Sequence, residues 1–289
     1  MNACGWSRSR RAVRYAGCAT VLGAVVGLLL ACGPVRAQQA KAASKSAGAS
    51  PTAQAQAAFD ATGYWVSLIT QDWRFRMLVP GKGEYADVPI NLKAKALADA
   101  WSASADEAAG KQCEAYGAAV IMRNPERLHI TWANPNTLQV DTDAGMQTRL
   151  LRFLPPSPTA AAAPAPLAAP PPHAPPSWQG QSVAQWLPAG AGAAAGAAAG
   201  AHAPRHGSLE VVTNDMLPGL LRKNGIPYSE HARMTEYWDL RALSGQQWIS
   251  ISVTVEDPLY LQIPYIYDSV FQKEPDGSKW APAACTLRS

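Results

Sequence analysis

Few residues of this chain carry chemistry, and the sharpest candidate is Glu236, in Met234-Thr-Glu-Tyr-Trp-Asp-Leu240. Alternate side chains of a strand share a face, so Met234, Glu236, Trp238 and Leu240 point the same way. A carboxylate among three apolar neighbours has two readings. It is a desolvated acid with a raised pKa, suited to general acid–base work or to orienting a polar ligand group, or a structural Glu paired with an arginine such as Arg74, Arg76 or Arg149. His129 is the second titratable candidate. It stands with Arg127 and Thr131 opposite Leu128, Ile130 and Trp132, and is either a base or ligand for metal or haem, or a histidine of a solvated face. Together Glu236 and His129 define the only acid–base pair on which an enzyme reading could rest.

The other polar clusters read as architecture. Tyr228-Ser229-Glu230 follows an Asn224-Gly225 turn, and no G-x-S-x-G elbow surrounds Ser229. Glu256-Asp257-Pro258 ends a strand before a Pro-rich corner, without the further oxygens a calcium site needs. Ser250, Ser252 and Thr254 alternate with Ile249, Ile251, Val253 and Val255, lining a wet cavity or the outer face of a sheet. His173, His202 and His206 form no ligand spacing. No P-loop, dinucleotide fingerprint or HExxH is present, so no cofactor and no metal is expected. What remains is aromatic surface. Trp65, Trp73, Phe75, Trp132 and Trp238, with Glu236, are the expected wall of a pocket for a small apolar or aromatic ligand.

Charge and cysteines give the setting. The chain of 289 residues carries a formal +4. Arg8, Arg10, Arg11, Arg14 and Arg36 all fall in residues 1–37, which hold no acid, and the remainder carries −1. Nucleic acid is thereby excluded as an electrostatic partner. Residues 1–37 read as a signal peptide: a basic start, an apolar run from Tyr15 to Ala31, and Val35-Arg36-Ala37 at the cut. Leu29-Leu30-Ala31-Cys32 also resembles a lipobox. The expected location is therefore secreted or periplasmic, with membrane attachment through a lipid on Cys32 as the variant. Of the remaining cysteines, Cys113 and Cys285 form a disulfide in an oxidising compartment, or stay as two thiols.

The elements that must position these residues lie in two blocks, 59–154 and 207–285. Residues 38–57 are an Ala/Gln/Ser tether. Residues 155–206 are a Pro/Ala/Gly insertion, uncharged over 155–204, in which Trp178 to Trp186 marks a docking segment at 178–186. Strand patterns dominate both blocks. They include Tyr64–Ile69, Trp73–Met77, Arg127–Trp132, Thr137–Thr142, Met146–Phe153, Ser208–Thr213, Arg233–Leu240, Gln247–Val255 and Ile263–Gln272. Asn91 caps one short helix running to Trp101, with Leu92, Ala96, Leu97, Ala100 and Trp101 on one side. The fold class is mainly β, an antiparallel barrel or strongly curved sheet formed by both blocks as one domain. Gly63-x-Trp65 ahead of the first long strand is how many lipocalin-like barrels begin.

Several motifs occur together: Cys113-x3-Gly117-x3-Ile121-Met122, Trp178-x-Gly180-x-Ser182-x3-Trp186, Ser208-Leu-Glu-Val-Val-Thr213, Asn224-Gly-Ile-Pro-Tyr-Ser-Glu230, Thr235-Glu236 and Glu256-Asp257-Pro258-x-Tyr260 with Pro264. In this order they resemble a family of uncharacterised secreted bacterial proteins, from Phe59 to Cys285. The resemblance implies that the two blocks are one domain and that 187–206 is a local expansion; it implies no activity, cofactor or catalytic residue. The sequence thus points to an exported envelope protein binding a small apolar or aromatic ligand inside a barrel. An enzyme using Glu236 and His129, and a structural or protein-interaction module, are the other readings.

Overall fold

The computed structural model describes residues 51–154, 167–170, 174–188 and 207–287. The leader, Cys32, the tether up to residue 50, most of the low-complexity runs, and His173, His202 and His206 lie outside them. Eleven strands follow along the chain: β1 (Gly63–Leu68), β2 (Arg127–Asn134), β3 (Thr137–Thr142), β4 (Thr148–Phe153), β5 (Gln181–Pro188), β6 (Gly207–Asn214), β7 (Gly219–Arg222), β8 (Ile226–Tyr228), β9 (Arg233–Leu243), β10 (Gln246–Glu256) and β11 (Tyr265–Lys273). Nine of them close a barrel in the order β1-β11-β10-β9-β6-β5-β4-β3-β2, and β7 and β8 form a separate hairpin. The short turns match their residues. Ser244 and Gly245 both take positive φ between Leu243 and Gln246, the geometry a two-residue hairpin loop requires.

An odd number of strands cannot alternate direction all the way round a ring. Antiparallel pairing fails once, and here β4 runs parallel to β5. A parallel neighbour needs a crossover that returns the chain to the starting end. Between the two strands the described residues are 154, 167–170 and 174–180. Residues 167–170 lie along the outer wall, with Leu167 packed on Val183 and Val212 and Pro170 O accepting from Asn214 Nδ2, and Trp178 O accepts from Ala118 N at the capped end. The segment read as a docking piece is therefore a strand of the barrel. Gln181–Pro188 is β5, hydrogen-bonded to both blocks and joining them into one sheet.

The barrel is filled. Trp65, Leu128, Ile130, Leu138, Val140, Leu151, Leu209, Val211, Trp238, Ile251 and Phe271 are all buried inside it. One end is closed by an aromatic cluster in which Trp186 packs against Phe59 and Phe153, and Phe153 against Trp132. The other end is capped by residues 69–125 and the β7–β8 hairpin. The cap holds α1 (Trp73–Met77), α2 (Leu92–Ala100), α3 (Ala103–Ala108), a 3₁₀ turn (Gln112–Tyr116) and α4 (Ala118–Ile121). All four residues of α4 are buried, and Ala119 O accepts from the Tyr267 hydroxyl within the barrel mouth.

Two local expectations are corrected. Trp73–Met77 is a single helical turn, not a strand, because the chain has left the barrel there and no neighbouring strand is present to take its backbone hydrogen bonds. Helix α2 begins where expected, Asn91 Oδ1 accepting from Ala94 N, but Leu92 and Leu97 are exposed while Ala94 and Ala98 are buried. Small side chains let this helix approach the β7–β8 hairpin closely. There Gly225, at φ +91°, completes the Asn-Gly turn against the Trp101 ring.

The C-terminal tail runs back over the outside of β1 and β2 toward the capped end. Glu274 pairs with Arg127, Trp280 packs edge-on to Tyr64 and His129, and Ala283 bridges Ala144. A disulfide between Cys113 and Cys285 fastens it.

Candidate functional site at the capped end of the barrel

The barrel wall separates the two acid–base candidates. Glu236 points inward from β9 and is fully buried. Arg149, on β4 across the lumen, is equally buried and donates to both its oxygens, Nη1 to Oε1 at 3.1 Å and Nη2 to Oε2 at 2.5 Å. Thr213 and Ser182 continue this network with a 2.8 Å hydroxyl–hydroxyl bond. Burial works against the Arg149 cation, and the Glu236 carboxylate outweighs it, so the guanidinium pKa is raised. His129 points outward and stacks on Tyr64, with ring centroids 4.2 Å apart. The acid–base pairing is thereby corrected: in-and-out alternation along β2 puts His129 on the outer face, and Glu236 serves Arg149, one of its three expected arginine partners.

The expected pocket residues do not converge either. Trp65 and Trp238 are fully buried lumen filling. The Trp65 indole donates to Ala61 O, and Lys273 Nζ lies 5.2 Å from its ring. Trp132 borders an open hollow of about 530 Å³ at the aromatic end. Trp73 is 64% exposed on α1, because the turn that is helical rather than extended rotates it off the Phe75 face. Phe75 alone among them reaches the cleft at the capped end. Ser229 is tied to Asp257 by its backbone N–H and its hydroxyl, at 2.7 and 2.8 Å, a fixed corner between β8 and the end of β10. Ser252 lies on the outer wall, bonded to Asp268.

Phe75 leads to a partly enclosed hollow of about 190 Å³ at the capped end. One side is the stretch Phe75–Pro80, and the other is Leu221-Arg222-Lys223 from the end of β7 and just beyond. The floor is Ala115, Tyr116, Val120 and Arg123. Among the described residues four cations line it (Arg76, Arg123, Arg222 and Lys223) and no carboxylate does. Three of these cations are more than nine-tenths buried: Arg76 is 8% exposed, Arg123 5% and Arg222 4%. Each has one anchor. Arg76 Nε donates to Arg123 O at 2.8 Å, Arg123 Nη1 pairs with Asp72 at 3.2 Å, and Arg222 Nη1 donates to Ala86 O at 2.6 Å. Aromatic rings set their planes. The Arg222 guanidinium carbon lies 4.3 Å from the Phe75 centroid, and that of Arg123 5.3 Å from Tyr267.

Most of the remaining nitrogens are unused. Arg76 Nη1 and Nη2 and Arg123 Nη2 have no acceptor, and Arg222 Nε and Nη2 have none besides the adjacent Tyr265 phenol. The Tyr265 phenol neighbours Arg222, and its field and side-chain hydrogen bond favour the Arg222 cation. Burial, and then the Arg123 charge, lower the pKa of Arg76. Burial lowers that of Arg222, with Arg123 contributing. Behind them Glu126 is buried with both carboxyl oxygens unpaired, and burial, aided by Asp143, holds its pKa well above the usual carboxylate range. It is therefore a poor counter-charge.

This cleft was not read from the sequence. Arg76 sits in a segment patterned like a strand with a polar face, and Arg123 and Arg222 follow Ile-Met and Leu-Leu pairs, the one local sign of burial. Their convergence depends on the cap folding onto the barrel, which spacing does not report. Among the described residues no cluster of three or more His, Cys, Asp or Glu is arranged to hold a metal ion. Comparison of the chain with family models, curated proteins and solved structures gives no match.

Proposed function

We propose that this chain is an exported binding protein that holds a small ligand in the cleft at the capped end of its barrel. The observation that carries this reading is the hollow of about 190 Å³ lined by three buried arginines, beside a lumen already filled by Trp65, Trp238 and Phe271. Concave, partly apolar sites with a few convergent polar groups are where small ligands bind. The aromatic and aliphatic contacts expected of the tryptophans come here from Phe75, Val79, Val120 and Leu221. The arginine-rich leader and the Cys113–Cys285 link fit export to an oxidising compartment.

A thermal-shift screen of small organic compounds, read beside native mass spectrometry of the purified protein, tests binding. At least one compound or retained ligand should raise the melting temperature, and Val79→Trp should abolish the effect by filling the cleft. A protein that carries nothing and responds to no compound overturns the reading. Cell fractionation with Cys32→Ala tests the anchor: lipid attachment requires the variant to leave the membrane fraction.

A second reading, a protein-interaction module, draws on Trp73, Met77 and Leu78, all exposed along α1 and at its end. Of these only Trp73 lies outside the cleft lining, and Trp73→Ser should leave small-ligand binding intact under the first reading.

A further inference from the structure

We propose that the cleft at the capped end is an anion site, in which Arg76, Arg123 and Arg222 grip the acidic oxygens of a small organic carboxylate or phosphate while Phe75, Val79 and Leu221 cover its apolar part. This inference rests on the binding reading above and adds the ligand's chemistry.

The warrant is an excess of buried donors. Arg76, Arg123 and Arg222, each more than nine-tenths buried, line the hollow, and of their guanidinium nitrogens Arg76 Nη1 and Nη2 and Arg123 Nη2 have no acceptor, while Arg222 Nε and Nη2 have only the neighbouring Tyr265 phenol. Buried donors are normally satisfied, and a buried charge is normally paired. The carboxylates of the neighbourhood do not meet the need. Asp72 is half in solvent and engages one nitrogen of Arg123. Glu126 makes no hydrogen bond through either oxygen, and Asp87 acts on Arg222 only through its field. The closest match to this donor set is a group bringing several anionic oxygens. Guanidinium forks take carboxylate and phosphate oxygens two at a time, with roughly twice the strength of neutral hydrogen bonds.

Selectivity follows from the rest of the wall. The rings of Phe75 and Tyr267 hold the Arg222 and Arg123 planes in place before any ligand arrives, so little side-chain freedom is lost on binding. A volume of about 190 Å³ is below the roughly 300–1,000 Å³ of ordinary ligand pockets. The occupant is therefore a head group with a short or single-ring remainder.

Isothermal titration of the full-length protein with benzoate, phenyl phosphate, inorganic phosphate and neutral benzamide tests this. Benzoate or phenyl phosphate should bind saturably and benzamide at least about tenfold more weakly, the worth of a charge-assisted hydrogen bond. Inorganic phosphate binding as tightly as phenyl phosphate would remove the apolar half of the proposal. Arg222→Gln should weaken the acids by about tenfold or more. Arg222 also supports Ala86, so Met77→Glu, an exposed position of the lining, gives an independent check. Its carboxylate should occupy the arginines and lower acid affinity by a similar factor while the fold stays intact. Benzamide binding as tightly as benzoate, with both lost in Val79→Trp, overturns the anion inference and leaves the binding reading standing. Failure of all four probes in a folded protein, together with a silent compound screen, overturns both.

Discussion

Glu236→Gln removes one charge from the barrel interior and leaves the other. In the native protein Arg149 and Glu236 share two hydrogen bonds with no solvent access to either side chain. Arg149 Nε already lacks an acceptor, and Nη2 has only a 3.5 Å contact to Thr213 besides Glu236. The Gln side chain can offer one neutral oxygen in place of a carboxylate, so the cation stays buried and nearly uncompensated. Breaking a buried pair in this way costs about 3–5 kcal/mol. Against a total stability of about 5–15 kcal/mol this is a large share. With a urea dependence near 2 kcal/mol per molar, the unfolding midpoint should fall by about 2 M. Removing both charges, in Glu236→Leu with Arg149→Met, should bring the midpoint back to within about 1 kcal/mol of the native protein or above it. Urea unfolding followed by tryptophan fluorescence reads all three. A Glu236→Gln loss below about 1 kcal/mol, or a double variant as unstable as the single one, refutes the assignment of these groups as a mutually compensating charged pair.

Glu126 gives a pH signature. Its folded pKa lies well above the ordinary 4.5, so the folded protein keeps a proton that the unfolded chain releases. Stability then falls as pH rises above about 4.5, until the folded group ionises. Glu126→Gln should therefore be more stable than the native protein near pH 7, by about 1–3 kcal/mol, with the gain gone near pH 4; an equal gain at both pH values argues against a buried titrating acid. Cys113→Ser with Cys285→Ser opens a sequence separation of 172 residues, and should lower stability by about 2–5 kcal/mol in calorimetry. An unchanged melting temperature on reduction of the native protein would contradict it. Pro188 pairs directly with Gly207 at the end of the β5–β6 hairpin, so replacing residues 189–206 by an Asn-Gly turn should keep the barrel and stabilise it by about 2 kcal/mol. Loss of the native circular dichroism spectrum would show that the run is needed for folding.

Alternation made much of the barrel legible. The inward sets of β2, β9 and β10 follow from period-two patterns, as does the outward position of His129. Asn91 and Asn224-Gly225 marked a helix start and a turn through capping and left-handed geometry that few residues supply. Trp178–Trp186 was readable as ordered, but not as a strand, since its partners come from both sides of an uncharged run. The arginine partner of Glu236 stayed ambiguous among three, because register across the lumen is set by barrel closure and not by any local spacing. The cleft arginines were invisible for the same reason: each is ordinary within its own segment, and only the packing of the cap makes them neighbours.

The tail disulfide has a consequence for a chain that has been cut. Cys113 lies ahead of both low-complexity runs and Cys285 behind them. A single cleavage between Pro188 and Gly207 therefore leaves two fragments that still form one covalent molecule, with β5 and β6 held in register by backbone bonds on either side of the break. Such a nicked protein would keep its mass until reduced, and its barrel and basic cleft would survive the loss of chain continuity.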